Sequence, residues 1–335
     1  MSGLKKPVQF IDIGEDKAGQ RIDNFLITLL KGVPKSATYR ILRKGNVRVN
    51  KKRVKAGYKL SRGDKIRVPP ILLPSSIDRI LPAELSTKLD KVVDLKSRVL
   101  YEDSHILALN KPSGLAVHGG SGLKFGIIEA LRALFPRYRF LELVHRIDRG
   151  TSGVLLIAKK RSALRYIQAQ FREKTVIKNY LTLVMGNGYR PCSRITAPLL
   201  KVKDNIRGIV RVSPKGKVSN TCFRIMETFH GATLMQATPI TGRTHQIRVH
   251  ACYQKHPVAG DALYGDANFD AFMNTLGLNR LFLHSSCITF THPGSGSSVS
   301  IEAPMDEVLN LTLEKLREYT EQEFSRGTAS LEKGS

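Results

Sequence analysis

Apolar residues recur at Ile22, Phe25, Leu26, Leu29 and Leu30, the i, i+3, i+4, i+7, i+8 spacing of an amphipathic helix. Pro34 breaks this pattern, Ser36 can cap a second helix over "SATYRILRK", and Gly45 ends it. The short pieces "VRVN", "RVK" and "KIRV" then read as strands joined by Lys/Gly-rich turns. Two helices and a small sheet make a compact module.

Residues 69–97 carry Pro69, Pro70, Pro74, Pro82 and several serines without a sustained period, and they read as a linker. Beyond Val99 the pattern is strand-rich: "HILALN", "LELV", "VLLIA", "NYLTLVMG", "GIVRVS", "TLMQAT", "HQIRVHA" and "SSCITFT". Helical spacing returns over 162–174 and 303–320. Strands outnumber helices and do not alternate regularly with them, so the expected class is α+β with a mostly antiparallel, mixed sheet. The organisation expected is a tail at 1–18, a module at 19–80, a linker at 81–97, a larger domain at 98–320 and a polar, frayed tail at 321–335.

One stretch of the larger domain breaks the pattern. In "LVHRIDRGTSGVLLIAKK", two apolar runs flank His145, Arg146, Asp148, Arg149, Thr151, Ser152 and Gly153, with Ile147 as the apolar exception. One acid among three basic-type side chains fits a surface hairpin whose carboxylate is neutralised by its neighbours. It equally fits a site that needs a charged carboxylate.

Charge narrows the partners. The 335 residues hold 54 Lys+Arg against 28 Asp+Glu, a net +26, with a pI near 10.1. An excess of that size repels itself in a compact state, so a polyanionic partner is the first explanation and a generally basic, solubilising surface the second. From Lys31 to Arg67 there are fourteen Lys/Arg and one acid, Asp64, about half the excess in a ninth of the length. Lys35, Arg40, Arg43, Lys44, Lys51, Lys52 and Arg53 are the candidate phosphate contacts within that patterned segment. There is no apolar run long enough to span a membrane and no secretory leader pattern, so the expected location is the cytoplasm. Cys192, Cys222, Cys252 and Cys287 are spaced as neither a disulfide framework nor a zinc site.

Several chemistries lack their motifs. No G-x-x-x-x-G-K-[ST] is present, and "GGSGLKFG" has the wrong spacing for a dinucleotide fingerprint. His245 and His250 lie five apart in a segment that alternates like a strand, unlike a helical zinc pair, so no metal and no cofactor is expected. What remains are "HRIDRGTSG", "IKNYLTLV" with Tyr180 inside an apolar strand, and "TGRTHQIRVH" with Arg243, His245, Arg248 and His250, together with "NKPSG" and "RLFLHS". Taken singly, each has an ordinary structural explanation.

In identity and order these motifs resemble the RluA family of pseudouridine synthases, from about Tyr101 to Pro304, with Ile147 where the family motif usually has Leu. The N-terminal segment resembles the α-L RNA-binding domain, through its helix pair, "G-x-V-x-V-N" and "G-D-x-I". The joint resemblance implies isomerisation of uridine to pseudouridine in RNA, with large-subunit ribosomal RNA or its precursor as partner. It implies no cofactor, since no group or electron is transferred, and action as a monomer. It maps the catalytic carboxylate to Asp148, its cationic partner to Arg248, and the tyrosine that stacks on the target uracil to Tyr180. It maps the side chain that fills the gap left by the flipped base to Arg146. A non-catalytic RNA-binding assembly factor shares the charge but leaves Asp148, Tyr180 and Arg248 unexplained. An RNA hydrolase lacks a second carboxylate or a metal set.

Overall fold

The computed structural model describes residues 5–72 except 7, 31, 32 and 34, and then 94–119, 126–187, 192–202 and 208–332. Most of the expected linker lies outside these residues. The chain divides into two compact units, Met1–Leu89 and Asp90–Ser335.

In the first unit, α1 (Ile22–Leu29) and α2 (Lys35–Arg43) cover one face of a four-stranded sheet. The strands run in the order β2 (Gln9–Asp12), β5 (Lys65–Val68), β3 (Arg48–Val49), β4 (Lys52–Arg53). A two-residue ladder joins β1 (Lys5–Lys6) to β6 (Ile71–Leu72). Ile22, Phe25, Leu26 and Leu30 are buried as the spacing requires, against Val49, Ile66 and Val68. Asn50 and Lys51 both take positive φ and close the β3–β4 hairpin in two residues, the conformation of a primed turn. Asp64, the lone acid of the basic run, is 5% exposed and accepts from Asn50 Nδ2 and the Ser61 amide at 2.8 Å each, so its role is to tie the turn to β5. Two expectations change here. Residues 9–12, read as tail, are an integral strand paired with β5. Helix α2 opens at Lys35, so Ser36 lies inside it rather than capping it.

The second unit is built on a ten-stranded sheet. Its first strands are β7 (Val99–Glu102), β8 (Ile106–Lys111), β9 (Glu142–Leu143), β10 (Ser152–Ala158) and β11 (Ile177–Met185). After β12 (Cys192–Thr196), β13 (Leu199–Lys201) and β14 (Val210–Val212) form a separate ribbon. The sheet is completed by β15 (Asn220–Phe229), β16 (Ala232–Pro239), β17 (Leu283–Thr291) and β18 (Ser298–Glu302). The order is β12-β15-β16-β11-β17-β10-β8-β7, with β9 on β10 and β18 on β17. Only β10 and β17 pair in parallel among the described strands.

Helices cover both faces, which is why β8 and β10 read as unbroken apolar runs rather than alternating ones. Leu155 and Ile157 pack with Ile127, Ile128 and Leu131 of α3 (Ile127–Leu134). Val154 and Leu156 face Ala163 and Ile167 of α4 (Arg161–Glu173). Ile247 of α5 (Gln246–Tyr253) joins the first of these clusters. Phe269 of α6 (Ala267–Thr275) packs with Leu309, Leu313 and Leu316 of α7 (Glu307–Glu332). Leu95, placed by sequence in the linker, is fully buried in this core.

Two elements differ from their sequence pattern. "QIRVHA" alternates like a strand but forms α5, a helix whose residues 246–251 are all buried. A helix enclosed on every side shows no polar stripe, so the 3.6-residue signal vanishes and chance alternation takes its place. The expected polar tail at 321–335 continues α7 as far as Glu332.

Candidate active site

Asp148 sits in a tight loop between β9 and β10, with the Thr151 amide donating to its backbone carbonyl at 3.2 Å. The loop is held on both sides. From the "NKPSG" segment, Lys111 is fully buried and its Nζ donates to the carbonyls of Pro112, Leu115 and Arg149 at 2.9–3.1 Å. Ser113 Oγ donates to Gly150 O at 2.7 Å. From the "RLFLHS" segment, Arg280 Nη2 donates to Ser152 Oγ at 2.8 Å. Ser152 Oγ lies 2.8 Å from Nδ1 of His284, whose Nε2 is 2.9 Å from Ala303 O. A carbonyl can only accept, so the His284 proton is on Nε2 and Ser152 donates to Nδ1. Gly153 takes φ +101°, and a Cβ there would lie 2.2 Å from Ser285 O, so only glycine lets β10 meet β17. Thus "NKPSG" positions the loop that carries Asp148, and "RLFLHS" does so through Arg280 and His284 while its Leu283 lines the pocket and its Ser285 bonds Tyr180.

The carboxylate of Asp148 is 21% exposed. Arg248 Nη1 lies 3.5 Å and His245 Nε2 3.9 Å from its Oδ2. Arg248 has a closer partner, which the sequence did not reveal. Its Nε and Nη2 donate to Asp261 at 2.7 and 2.6 Å, and the Asp261 side chain is wholly buried. Asp261 also accepts from the Leu263 and Tyr264 amides. The two carboxylates therefore differ. Asp261 is saturated and fixed, whereas Asp148 accepts no hydrogen bond at its carboxylate among the described residues and faces the pocket.

His245 stood in the third polar motif of the sequence, where its spacing to His250 gave it no role. Tyr264 Oη accepts from the Val210 amide at 2.9 Å and lies 2.8 Å from His245 Nδ1, which fixes the ring with its Nε2 toward Asp148. Burial lowers the His245 pKa, with Asp148 opposing the shift. His250, by contrast, is a buried structural residue. Its Nδ1 lies 2.8 Å from Thr221 Oγ1 and its Nε2 3.0 Å from Ala197 O.

Tyr180 enters the same pocket from β11, at a register shift against β17 between Asn179 and Tyr180. The extra residue is Ser286 on β17, which leaves β11 itself unbroken through Tyr180. Burial pushes its phenol up to about 12, with Ser285 opposing and Asp148 reinforcing the shift, so it is a proton donor throughout the neutral range. Lys178, two residues earlier on the same face of the strand, also lines the pocket, and burial lowers its pKa. Arg146 is exposed at the rim and makes no hydrogen bond or ion pair among the described residues. Arg172, Lys174 and Arg243 extend this cationic rim. His145 has left the charge count: burial holds its pKa down to about 3, its ring stacks on Phe171, and its Nε2 accepts from the Leu156 amide.

Asp148, Tyr180, Arg248 and Arg146 therefore share one pocket. The other candidates belong to the first unit, where Arg40, Arg43, Lys44, Lys51, Lys52 and Arg53 are all exposed. Arg53 Nη2 donates to the carbonyl of Arg43 at the end of α2, which brings two of them together. The side chain of Lys35 lies outside the described residues.

Residues 105–252 match the family model for RNA pseudouridylate synthase, and residues 20–66 match the S4 domain. The chain is 60% identical over 317 residues to ribosomal large subunit pseudouridine synthase C of Vibrio parahaemolyticus, covering 95% of this chain and 99% of the relative. It is 57% identical over 313 residues to the Escherichia coli K12 protein of the same name, covering 92% and 97%. Among solved structures, human RNA pseudouridylate synthase domain containing 4 superposes with a TM-score of 0.58 at 23% identity, covering 69% of this chain and 97% of that one. This last likeness concerns the fold alone.

Proposed function

The chain belongs to the RNA pseudouridylate synthase family, and from that premise we propose that it isomerises uridine in large-subunit ribosomal RNA with Asp148 as the reacting carboxylate. The observation that carries the assignment is the contrast between two acids on one guanidinium. Asp261 is saturated by Arg248 and two amides, while Asp148 is held near Arg248 at 3.5 Å with its oxygens open to the pocket.

In the isomerisation, the bond from uracil N1 to the sugar breaks and a bond from C5 to the same sugar carbon forms. The C5 hydrogen leaves as a proton, and N1 gains one. Oxidation state is unchanged, so the reaction calls for a positioned nucleophile or charge stabiliser rather than an electron carrier. Neither N1 nor C5 is reachable inside a stacked helix, so the nucleotide must turn out into the pocket. Arg146, exposed at the rim and without a partner among the described residues, suits the stacking gap left behind. The Tyr180 ring offers a face for the uracil, and its hydroxyl, protonated near neutrality, suits donation of the proton that N1 gains. Arg248 places a positive charge 3.5 Å from the Asp148 carboxylate, and its bidentate hold on Asp261 stops it from collapsing onto Asp148. Action in the cytoplasm, as a monomer and without cofactor or metal, completes the proposal.

The test is release of tritium from uracil C5 in a labelled large-subunit ribosomal RNA transcript. Release is expected from the full chain and not from Asp148→Asn. A variant that retains turnover within about tenfold of the parent would overturn the role of Asp148. Absence of release by the parent chain on both naked transcript and precursor particles would overturn the substrate.

A further inference from the structure

The sheet of the first unit has a second face that the helices do not cover. Its pairing sets Phe10 opposite Arg67, Arg67 opposite Arg48, and Arg48 opposite Arg53, one residue from each of the four strands in a single row. The neighbouring row, Ile11, Ile66, Val49 and Lys52, turns toward the helices. Alternation along a strand therefore sends the first row outward. Phe10 is 64% exposed there, while Arg48 and Arg53 are exposed and Arg67 is half-buried.

Like charges directly opposite on adjacent strands are destabilising, and three arginines in succession make two such pairs. No acid joins the row; the nearby Asp12 sits 3.9 Å from Lys65 instead. The guanidiniums are nonetheless held in place. Arg67 Nη1 donates to Asn46 O at 3.2 Å, and Arg53 donates to Arg43 O. Both acceptors are backbone carbonyls, which orient the cations without neutralising them. Arg48, between them, has no hydrogen bond or ion pair among the described residues. An unneutralised arginine row, two of its three guanidiniums held by backbone carbonyls, that ends in an exposed aromatic ring matches one ligand chemistry: a phosphate backbone with a free base at its end.

We propose that this face binds an unpaired stretch of RNA, with one base stacked on Phe10 and the adjoining phosphates on Arg67, Arg48 and Arg53. Lys51 of the turn lines the same concavity as Phe10, Arg48 and Arg67, whereas the α2 cations Arg40, Arg43 and Lys44 do not line it. A duplex does not satisfy it, since paired bases keep their faces stacked and present only backbone. The proposal shares with the functional reading only that the partner is RNA, so the two can fail separately.

The chain contains no tryptophan, so Phe10→Trp in the full chain introduces a single fluorescent reporter. The probe is an oligoadenylate, which carries no uracil for the catalytic pocket. Oligoadenylate is expected to quench the reporter, whereas an abasic strand of equal charge, a duplex and polyglutamate are not. Phe10→Ala, at a position 64% exposed where truncation leaves no cavity, is expected to weaken oligoadenylate binding about tenfold, within the range known for stacked bases. Arg48→Gln is expected to lower the salt slope of binding by about 0.7. Equal quenching by the abasic strand or by polyglutamate would reduce the face to non-specific charge, or to an acidic protein surface, and overturn the proposal. Unchanged affinity in Phe10→Ala would do the same.

Discussion

At Arg248 two carboxylates compete for one guanidinium, and distance decides which holds it. Contacts of 2.6–2.7 Å to buried Asp261 set the arginine's position, and the 3.5 Å contact to Asp148 uses what remains. Arg248→Met should therefore damage the fold as well as the chemistry. It strands a carboxylate with no solvent exposure, at a cost of about 3–5 kcal/mol. Adding Asp261→Asn removes the stranded charge and should recover part of the lost stability in urea melts without recovering tritium release. A double variant no more stable than Arg248→Met alone would show that Asp261 is not what the arginine supports. Asp148→Asn should behave in the opposite way, abolishing turnover with a stability change of no more than about 1–2 kcal/mol, because that carboxylate accepts no hydrogen bond among the described residues. The resemblance found in the sequence led to Asp148, Tyr180, Arg146 and Arg248. It did not lead to Asp261 or Tyr264, whose work is to orient Arg248 and His245 through contacts between residues 13 and 19 positions apart. Nothing in their local sequence marks such contacts.

The loop carrying Asp148 is positioned by elements remote in sequence, and its stability is a property of the clamp rather than of its own residues. Lys111→Met removes the donor to three carbonyls, each costing about 1–3 kcal/mol where no other partner serves it. The expected result is a lower turnover number with little change in RNA affinity, read from single-turnover rates at saturating RNA. Gly153→Ala forces a Cβ against the Ser285 carbonyl at φ +101° and should cost roughly 2–5 kcal/mol, measured as a lower urea midpoint. The strands that place this loop were legible from their apolar runs, since β8, β10 and β11 coincide with "HILALN", "VLLIA" and "NYLTLVMG". Helix α5 was not legible. Its polar residues have buried partners (Thr221 and Asn220 for Gln246, Asp261 for Arg248, Ala197 for His250) that allow them to point inward. Amphipathic patterning reports exposure, and residues 246–251 of this helix have none to report.

Over the whole molecule, burial and charge have separate signatures in pH and in salt. Burial lowers the pKa of His145 to about 3 and lowers those of His245, His250 and His284. Each prefers its neutral form in the fold, so its stabilising contribution is full above the unfolded value near 6.5 and is lost as pH falls toward the folded value. Unfolding free energies from urea melts should therefore fall steadily below about pH 6.5, by about 1.4 kcal/mol per pH unit for each histidine that stays neutral. The line should be shallower by about one proton in His145→Gln. Salt reports on the first unit instead. From Lys31 to Arg67 the chain concentrates fourteen cations against one acid, and the structure shows that acid engaged in a turn. Every residue lining the candidate pocket lies beyond residue 140. Removing residues 1–89 should thus leave isomerisation possible at high RNA concentration while weakening binding. If the unit supplies four phosphate contacts, the slope of log K against log salt should drop by roughly three, at about 0.7–0.9 per contact. Discrimination among uridines should fall with it, because phosphate contacts set register along the RNA. Filter binding across a salt series, paired with tritium release on full-length and shortened chains, measures both. An unchanged slope would mean that the cationic rim of Arg146, Arg172, Lys174 and Arg243 holds the backbone by itself, leaving the first unit no part in affinity.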